Sequence, residues 1–261
     1  MPVLVIANQK GGCGKTTTAI NLAACLAECG KSVLLIDLDP QGSATTGLGV
    51  DRKSVDYSIY DVLFPCLPAG RGRKRLQDVI LETSSGIHLA PSSVDLLAAE
   101  THMAGKPNQT TILKNHLGDI KDYYDHILID LPPGSTMLMI NGIVASENVI
   151  VPLDSGVFAY EAMETLRILL RDISEELHID ANIMFVLLRE EPVGSFGFAA
   201  NHTKEIRKLL KDFLGVHCTE MPEIFTIPYS RKVYKAQMKG LPISHCSPWS
   251  SIGRTYKRIA K

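Results

Sequence analysis

The 261-residue chain contains no apolar run approaching the roughly 18 residues that would suggest a membrane span. It has no charged leader followed by an apolar stretch either. Met1 and Pro2 run straight into Val3-Leu4-Val5-Ile6-Ala7, so no secretory signal is expected and the chain is placed in the cytoplasm. Six cysteines, at 13, 25, 29, 66, 218 and 246, include no C-x-x-C pair and no grouping with histidine at metal-ligand spacing. Reduced thiols are expected, not a zinc site or a disulfide framework. Cys25 and Cys29 lie among Leu22, Ala23, Leu26 and Ala27, a spacing that reads as the buried small-residue face of a helix. Internal repeats and low-complexity segments are also missing.

Acidic residues are absent from one region. From Ile224 onward there are eight basic residues and no acidic one, and residues 201–261 carry +8 against −9 on residues 1–200, although the whole chain is only −1. Such asymmetry is the electrostatic footprint of a polyanion partner. Arg231, Lys232 and Lys235 fall three or four apart and can share one helix face, as can Arg254, Lys257, Arg258 and Lys261. Either these faces meet a phosphate backbone or they are ordinary solvated surface. Nothing resembles a base-reading helix-turn-helix or zinc finger, so nucleic-acid contact would be mainly to phosphates, salt-sensitive and indifferent to sequence.

A hydrophobic content of 45% with 21% charged residues suits one soluble domain over 1–261. Apolar runs of strand length recur at 3–7, 33–36, 87–89, 127–129, 149–153 and 183–188. Stretches of helical period or turn residues separate them, which predicts an α/β fold with a doubly wound, mostly parallel sheet flanked by helices. The clearest helix spans 158–177, and others are expected at 92–104, 109–117, 136–146, 203–214, 230–238 and 250–259. Residues 47–75, broken by Gly47, Gly49, Pro65, Pro68, Gly70 and Gly72, read as a surface insertion with a short amphipathic piece at 59–64. The basic run 71–75 within it is either a nucleic-acid contact or solvated surface.

The chemistry concentrates near the start. Lys10-Gly11-Gly12-Cys13-Gly14-Lys15-Thr16-Thr17 joins the first apolar run to a helix, the context that a phosphate-binding loop requires. Backbone N–H groups freed by Gly11, Gly12 and Gly14 can converge on phosphate oxygens, with the positive end of the helix dipole behind them. Lys15 would reach the β- and γ-phosphates, and the Thr16 hydroxyl would serve Mg²⁺. The standard motif has glycine where this chain has Gln9, and it lacks the second lysine, Lys10, so the loop is of the deviant type.

Three carboxylates end predicted strands, at the edge where open α/β sheets bind ligands. Asp130 closes His126-Ile127-Leu128-Ile129 in the Walker B manner and would hold Mg²⁺ through a water; the bland alternative is a residue capping the next turn. Asp39 would hold a water facing the γ-phosphate. Asp37 alternates to the other side of its strand and is either structural or an aid to the metal.

Lys10 to Thr17, Asp37-Leu38-Asp39-Pro40-Gln41-Gly42, Asp130-Leu131-Pro132-Pro133 and Ile227-Pro228 together resemble the ParA/Soj-type partitioning ATPases, with the match densest in the first half. The resemblance implies a P-loop ATPase that forms a homodimer around two ATP molecules, binds DNA without sequence preference in that state, and is released when a ParB-like partner stimulates hydrolysis. It implies that Lys10 contacts the partner protomer's nucleotide, that Asp39 orients or deprotonates the attacking water, and that Pro228 flanks the base. It also implies that Lys232 stands where the family has a DNA-binding arginine. Gly11 would let two facing loops approach closely. Arg189-Glu190-Glu191-Pro192 departs from the family's other base-flanking run. A MinD-like membrane-cycling or cargo-positioning ATPase shares the deviant loop, but residues 251–261 carry few bulky apolar side chains for an anchor. An iron-protein-like electron carrier would need cluster cysteines, and residues 67–217 have none.

Overall fold

The computed structural model describes residues 2–64, 74–134, 136–154, 158–189, 198–218 and 220–261. Residues 71–73 of the basic run and 190–192 lie outside them. Strand β1 (Val3–Ile6) passes through the glycine loop into helix α1 (Lys15–Glu28), and the chain returns as β2 (Val33–Asp37). Short elements follow: α2 (Ser43–Gly47), α3 (Ile59–Leu63), β3 (Leu81–Glu82), β4 (His88–Ala90), α4 (Ala99–Met103) and α5 (Ile112–Leu117). Longer ones then alternate: β5 (His126–Asp130), α6 (Met137–Ser146), β6 (Glu147–Asp154), α7 (Ala159–Leu177), β7 (Asn182–Arg189), α8 (Phe198–His217) and β8 (Glu223–Ile227). Helices α9 (Arg231–Gln237), α10 (Ile243–Cys246) and α11 (Ser251–Ile259) complete the chain.

The strands form one sheet in the order β3-β4-β2-β5-β1-β6-β7-β8, parallel throughout except where β3 pairs with β4. Both faces are covered, which is why the strands read as continuous apolar runs. Successive side chains alternate across the sheet. Val3, Val5, Leu34, Ile36, Ile127, Ile129, Val149 and Val151 join one core cluster with residues of α3, α5, α6, α7 and α8. Leu4, Ile6, Leu35, Leu128, Ile150, Phe225 and Ile227 join the other, with α1 and with Ile252, Tyr256 and Ile259 of α11.

Two strands escape the apolar-run reading. β8, between Pro222 and Pro228, is only five residues long with a polar Thr226 inside it, and β3 is a two-residue edge piece. The helix expected over 92–104 is a 3-10 segment at Val94–Ala98 followed by α4, started by Ser93 accepting from the Asp95 amide. Val94 and Leu97 point to solvent there, so the apolar period of a long helix is absent. Within 47–75, Ile59, Tyr60, Val62, Leu63 and Phe64 belong to the core, so this amphipathic piece is a packed helix and not surface. Lys74 stands 3.7 Å over the Tyr57 ring and Arg75 pairs with Asp78 at 3.1 Å.

Because β1, β2, β5, β6, β7 and β8 are parallel, their C-terminal ends share one edge of the sheet. The glycine loop, Asp37, Asp130, Asp154, Arg189 and Pro228 are thereby gathered from separate parts of the sequence.

Candidate nucleotide site

The loop after β1 is held from below. Asn8 donates through Nδ2 to the Pro152 carbonyl at 2.7 Å and accepts the Lys10 amide on Oδ1 at 2.9 Å, while the Gly134 amide donates to the Gln9 carbonyl at 2.8 Å. Gly12 and Gly14 take left-handed φ angles of 75° and 98°, which side chains rarely adopt, and Gly14 turns the chain directly into α1. Gly11 has no such requirement within one chain: a Cβ there would stand 4.0 Å from Pro133 Cβ, an ordinary contact.

Lys15 is buried, and its ammonium donates to the Lys10 carbonyl at 3.0 Å, so the reach of its side chain lies along the inside of the loop. Thr17 accepts on its hydroxyl from Gln237 Nε2 at 3.2 Å, tying the loop to α9. Cys13 is buried with its thiol toward the Lys10 carbonyl at 3.3 Å; burial raises its pKa, with Lys15 acting against that, which leaves it a poor nucleophile.

The register sets Asp37 of β2 beside Asp130 of β5. Their surroundings separate them. Asp37 is fully engaged: Oδ2 accepts from the Thr45 amide at 2.8 Å and hydroxyl at 2.7 Å, and Oδ1 from the Asp39 amide at 3.2 Å. Asp130 is equally buried, yet among the described residues neither of its carboxylate oxygens finds a hydrogen bond of full geometry. Burial pushes both carboxyls up, Asp37 to about 6 and Asp130 well above the usual range, where the neighbouring Asp37 adds to the effect. The Thr16 hydroxyl and the Lys15 ammonium pull Asp130 the other way. A buried carboxylate with unused lone pairs beside a hydroxyl is a donor set that fits a hard divalent cation.

Asp39 is buried, and its Oδ1 accepts the Gln41 amide at 2.8 Å. With Gly11, Gly12, Gly14, Lys15, Thr16 and Thr17 it lines a cavity of about 620 Å³. A second cavity of about 540 Å³, more apolar, is walled by Cys13, Pro152, Leu187, Ile227, Pro228, Tyr229, Tyr234 and Tyr256. Gly14, Thr17, Arg189 and Gln237 line both, so an end suited to phosphates runs into an end suited to a planar ring.

The basic residues divide. Arg231 and Lys235 line the second cavity, whereas Lys232 is exposed with no side-chain partner among the described residues. On α11, Arg254 donates to the Trp249 carbonyl at 2.5 Å, Lys257 pairs with Glu28 at 3.4 Å, and Arg258 stands 5.3 Å from the Phe225 ring centre. No helix among the described residues is long and apolar enough to cross a membrane.

A family model described as an AAA domain matches residues 1–183. The sporulation initiation inhibitor protein Soj of Bacillus subtilis is 34% identical over 260 residues, covering 99% of this chain and 96% of that protein. The chromosome-partitioning ATPase Soj of Treponema pallidum is 32% identical over 261 residues, covering 99% and 95%. The chain belongs to the ParA/Soj family of partitioning ATPases. Among solved structures, a cobyrinic acid a,c-diamide synthase from Mycobacterium smegmatis with bound ATP analog and magnesium is 27% identical, with a TM-score of 0.82 over 100% of this chain and 92% of that one.

The apolar run at 149–153 stops at Leu153, one residue short of Asp154, which ends β6. Asp154 carries the same signal, a carboxylate at a strand's C-terminal end, that exposed Asp130. Tyr256, the buried floor of the ring-side cavity, donates to or accepts from the Thr18 hydroxyl at 3.2 Å. It lies on the apolar side of α11, opposite the basic residues.

Proposed function

We propose that the chain is a partitioning ATPase that binds Mg²⁺–ATP at this site, forms a homodimer in that state, holds DNA without regard to sequence, and lets go when a ParB-like partner accelerates hydrolysis. The observation that carries the nucleotide reading is Asp130, a fully buried carboxylate beside the Thr16 hydroxyl and the Lys15 ammonium of a glycine loop, with lone pairs left unused among the described residues. Thr16 and Asp130 would hold Mg²⁺, and the metal supplies neutralisation of phosphate charge. Loop amides and Lys15 bind and orient the triphosphate. Asp39, fixed by the Gln41 amide, aligns a water with the γ-phosphorus and accepts its proton as the γ-phosphoryl group parts from ADP. Lys10 supplies positive charge to the nucleotide of the opposite protomer, and Gly11 leaves room for that approach.

The apolar cavity beside Pro228 takes the adenine, and exposed Lys232 leads the DNA contact. A membrane reading has less support, because Ile252, Tyr256 and Ile259, the apolar side chains that would insert from the last helix, are packed into the core. Co-sedimentation of the ATP-bound protein with DNA and with anionic vesicles separates the two. Retention by DNA alone is expected; capture by vesicles and not DNA would transfer the protein to the membrane class.

A further inference from the structure

Arg52 belongs to none of the motifs above. It opens a 3-10 turn, Arg52–Ser54, in which the Asp51 carboxylate accepts from the Lys53 amide at 3.0 Å and the Asp51 carbonyl accepts from Ser54 Oγ at 2.8 Å. From there its side chain reaches back over the turn that follows Asp39. Nη1 donates to the Gln41 carbonyl at 2.5 Å and Nη2 to the Pro40 carbonyl at 2.7 Å. Ser92 Oγ donates to the Asp39 carbonyl. The consecutive carbonyls of residues 39, 40 and 41 are therefore all held by side chains from outside the turn.

The fit dictates a neighbour as well. A Cβ on Gly42 would stand 2.3 Å from Arg52 Nε, and Gly42 has a φ of 62°, so both the close approach and the backbone call for glycine. Arg52 Nε is itself buried without a partner among the described residues. Its own hydrogen bonding is incomplete while the carbonyls of the turn are served. Arg52 also lies outside the lining of the phosphate-side cavity, so its effect on chemistry passes through the turn.

We propose that Arg52 is a positioning residue for hydrolysis: it straps the 39–42 turn from behind, so that Asp39, anchored to the Gln41 amide, keeps its carboxylate on the phosphate side. This rests on the reading of Asp39 as the water-holding group. Carbonyls in a turn have no strand ladder to hold them, and charged donors hold them more strongly than neutral ones. A guanidinium is needed because its rigid fork reaches two carbonyls at once, whereas an ammonium is a single point charge.

The test uses the full chain with Arg52→Ala and Arg52→Lys. For Arg52→Ala, kcat for ATP falls about ten- to hundredfold, the cost of a small misplacement of a catalytic group, while KM stays within about twofold. Arg52→Lys recovers part of the loss, and Arg52→Ala made on top of Asp39→Ala slows turnover no further. Amide hydrogen exchange supplies a readout independent of turnover. Residues 41 and 42 exchange faster in Arg52→Ala than in the parent protein, while β5 and α1 keep their protection. Unchanged kcat, a KM that rises in step with the loss, or unchanged exchange in the turn each overturns the strap. If the parent protein hydrolyses no ATP, the functional reading fails, and the exchange measurement alone decides whether Arg52 holds the turn.

Discussion

Lys10 and Asp154 form an ion pair at 3.3 Å across the mouth of the glycine loop, and the second oxygen of that carboxylate pairs with Arg189 at 2.5 Å. Asp154 and Arg189 are register partners at the ends of β6 and β7, so the sheet itself sets the carboxylate between two cations. Lys10 cannot hold Asp154 and a second protomer's phosphates together. Its side chain is 42% exposed, which limits the pair to about 0–1 kcal/mol after solvent screening. The pair therefore parks Lys10 without locking it. Asp154→Asn should favour ATP-dependent dimerisation by up to about fivefold, the equivalent of that energy. Sedimentation velocity over a range of ATP concentrations measures this; a weaker dimer would show that Asp154 serves the assembled state instead.

Lys15→Ala should abolish hydrolysis, because no other buried ammonium lies among the residues lining the phosphate-side cavity. Asp39→Ala should behave differently, keeping ATP and accumulating as a dimer on DNA while turnover stops. Equal turnover in Lys15→Ala, or an Asp39→Ala protein that stays monomeric with ATP, contradicts these roles.

Asp37 and Asp130 should part company on mutation. Asp37→Ala strands the Thr45 amide, the Thr45 hydroxyl and the Asp39 amide, all buried, and should cost about 1–3 kcal/mol for each donor left unsatisfied. Asp130→Asn strands no buried backbone donor and keeps an oxygen toward the Thr16 hydroxyl, so it should leave the fold intact while removing the Mg²⁺ dependence of ATP affinity. Urea unfolding and nucleotide titration with and without Mg²⁺ check both. Persistent Mg²⁺ dependence in Asp130→Asn would reassign the metal ligand.

Burial raises the Tyr256 hydroxyl from 10.0 to about 12, with the Thr18 hydroxyl bond acting in the opposite direction. A folded-state pKa above the unfolded value gives stability that is complete below the unfolded pKa and is lost as pH rises through the folded one. The protein should therefore lose stability between pH 10 and about 12, and Tyr256→Phe should flatten that loss. At neutral pH the same substitution removes only the bond to Thr18, about 1 kcal/mol. Identical alkaline slopes for the two proteins would show that other groups carry the transition.

On α9, Lys232→Glu should weaken DNA retention and leave ATP affinity unchanged, with the salt dependence of DNA binding shallower by about one ion. Lys235→Glu should disturb both, since Lys235 lines the ring-side cavity. Filter binding at several salt concentrations, paired with ATP titration, distinguishes them. A Lys232→Glu protein with undiminished DNA binding would move the interface elsewhere.

Features carried by neighbouring residues were legible in the sequence alone. The loop from Lys10 to Thr17 lies between a buried strand and a helix, and its glycines, lysines and threonines do their work within one turn, so spacing sufficed to find it. Apolar runs disclosed most of the parallel sheet, because strands covered on both faces must be apolar throughout. β8 escaped because Thr226 interrupts a five-residue run, and the helix expected over 92–104 dissolved because Val94 and Leu97 face solvent. The strand-end position of Asp37 and Asp130 was also legible, but not the difference between them.

That difference came from packing. Thr45 takes up Asp37 while Asp130 keeps lone pairs unused beside Thr16, which depends on how the 39–45 segment folds back over β2. The meeting of Lys10 with Asp154 and Arg189, and of Arg52 with the turn after Asp39, likewise depends on where the sheet and its connections bring distant residues together. The glycine loop and the parallel sheet are written in local spacing and period, so they are legible before any contact between distant segments is known. Which charges are paired and which stay open to a ligand follows from the fold, because a side chain's partners are set by the packing of segments far apart in the chain.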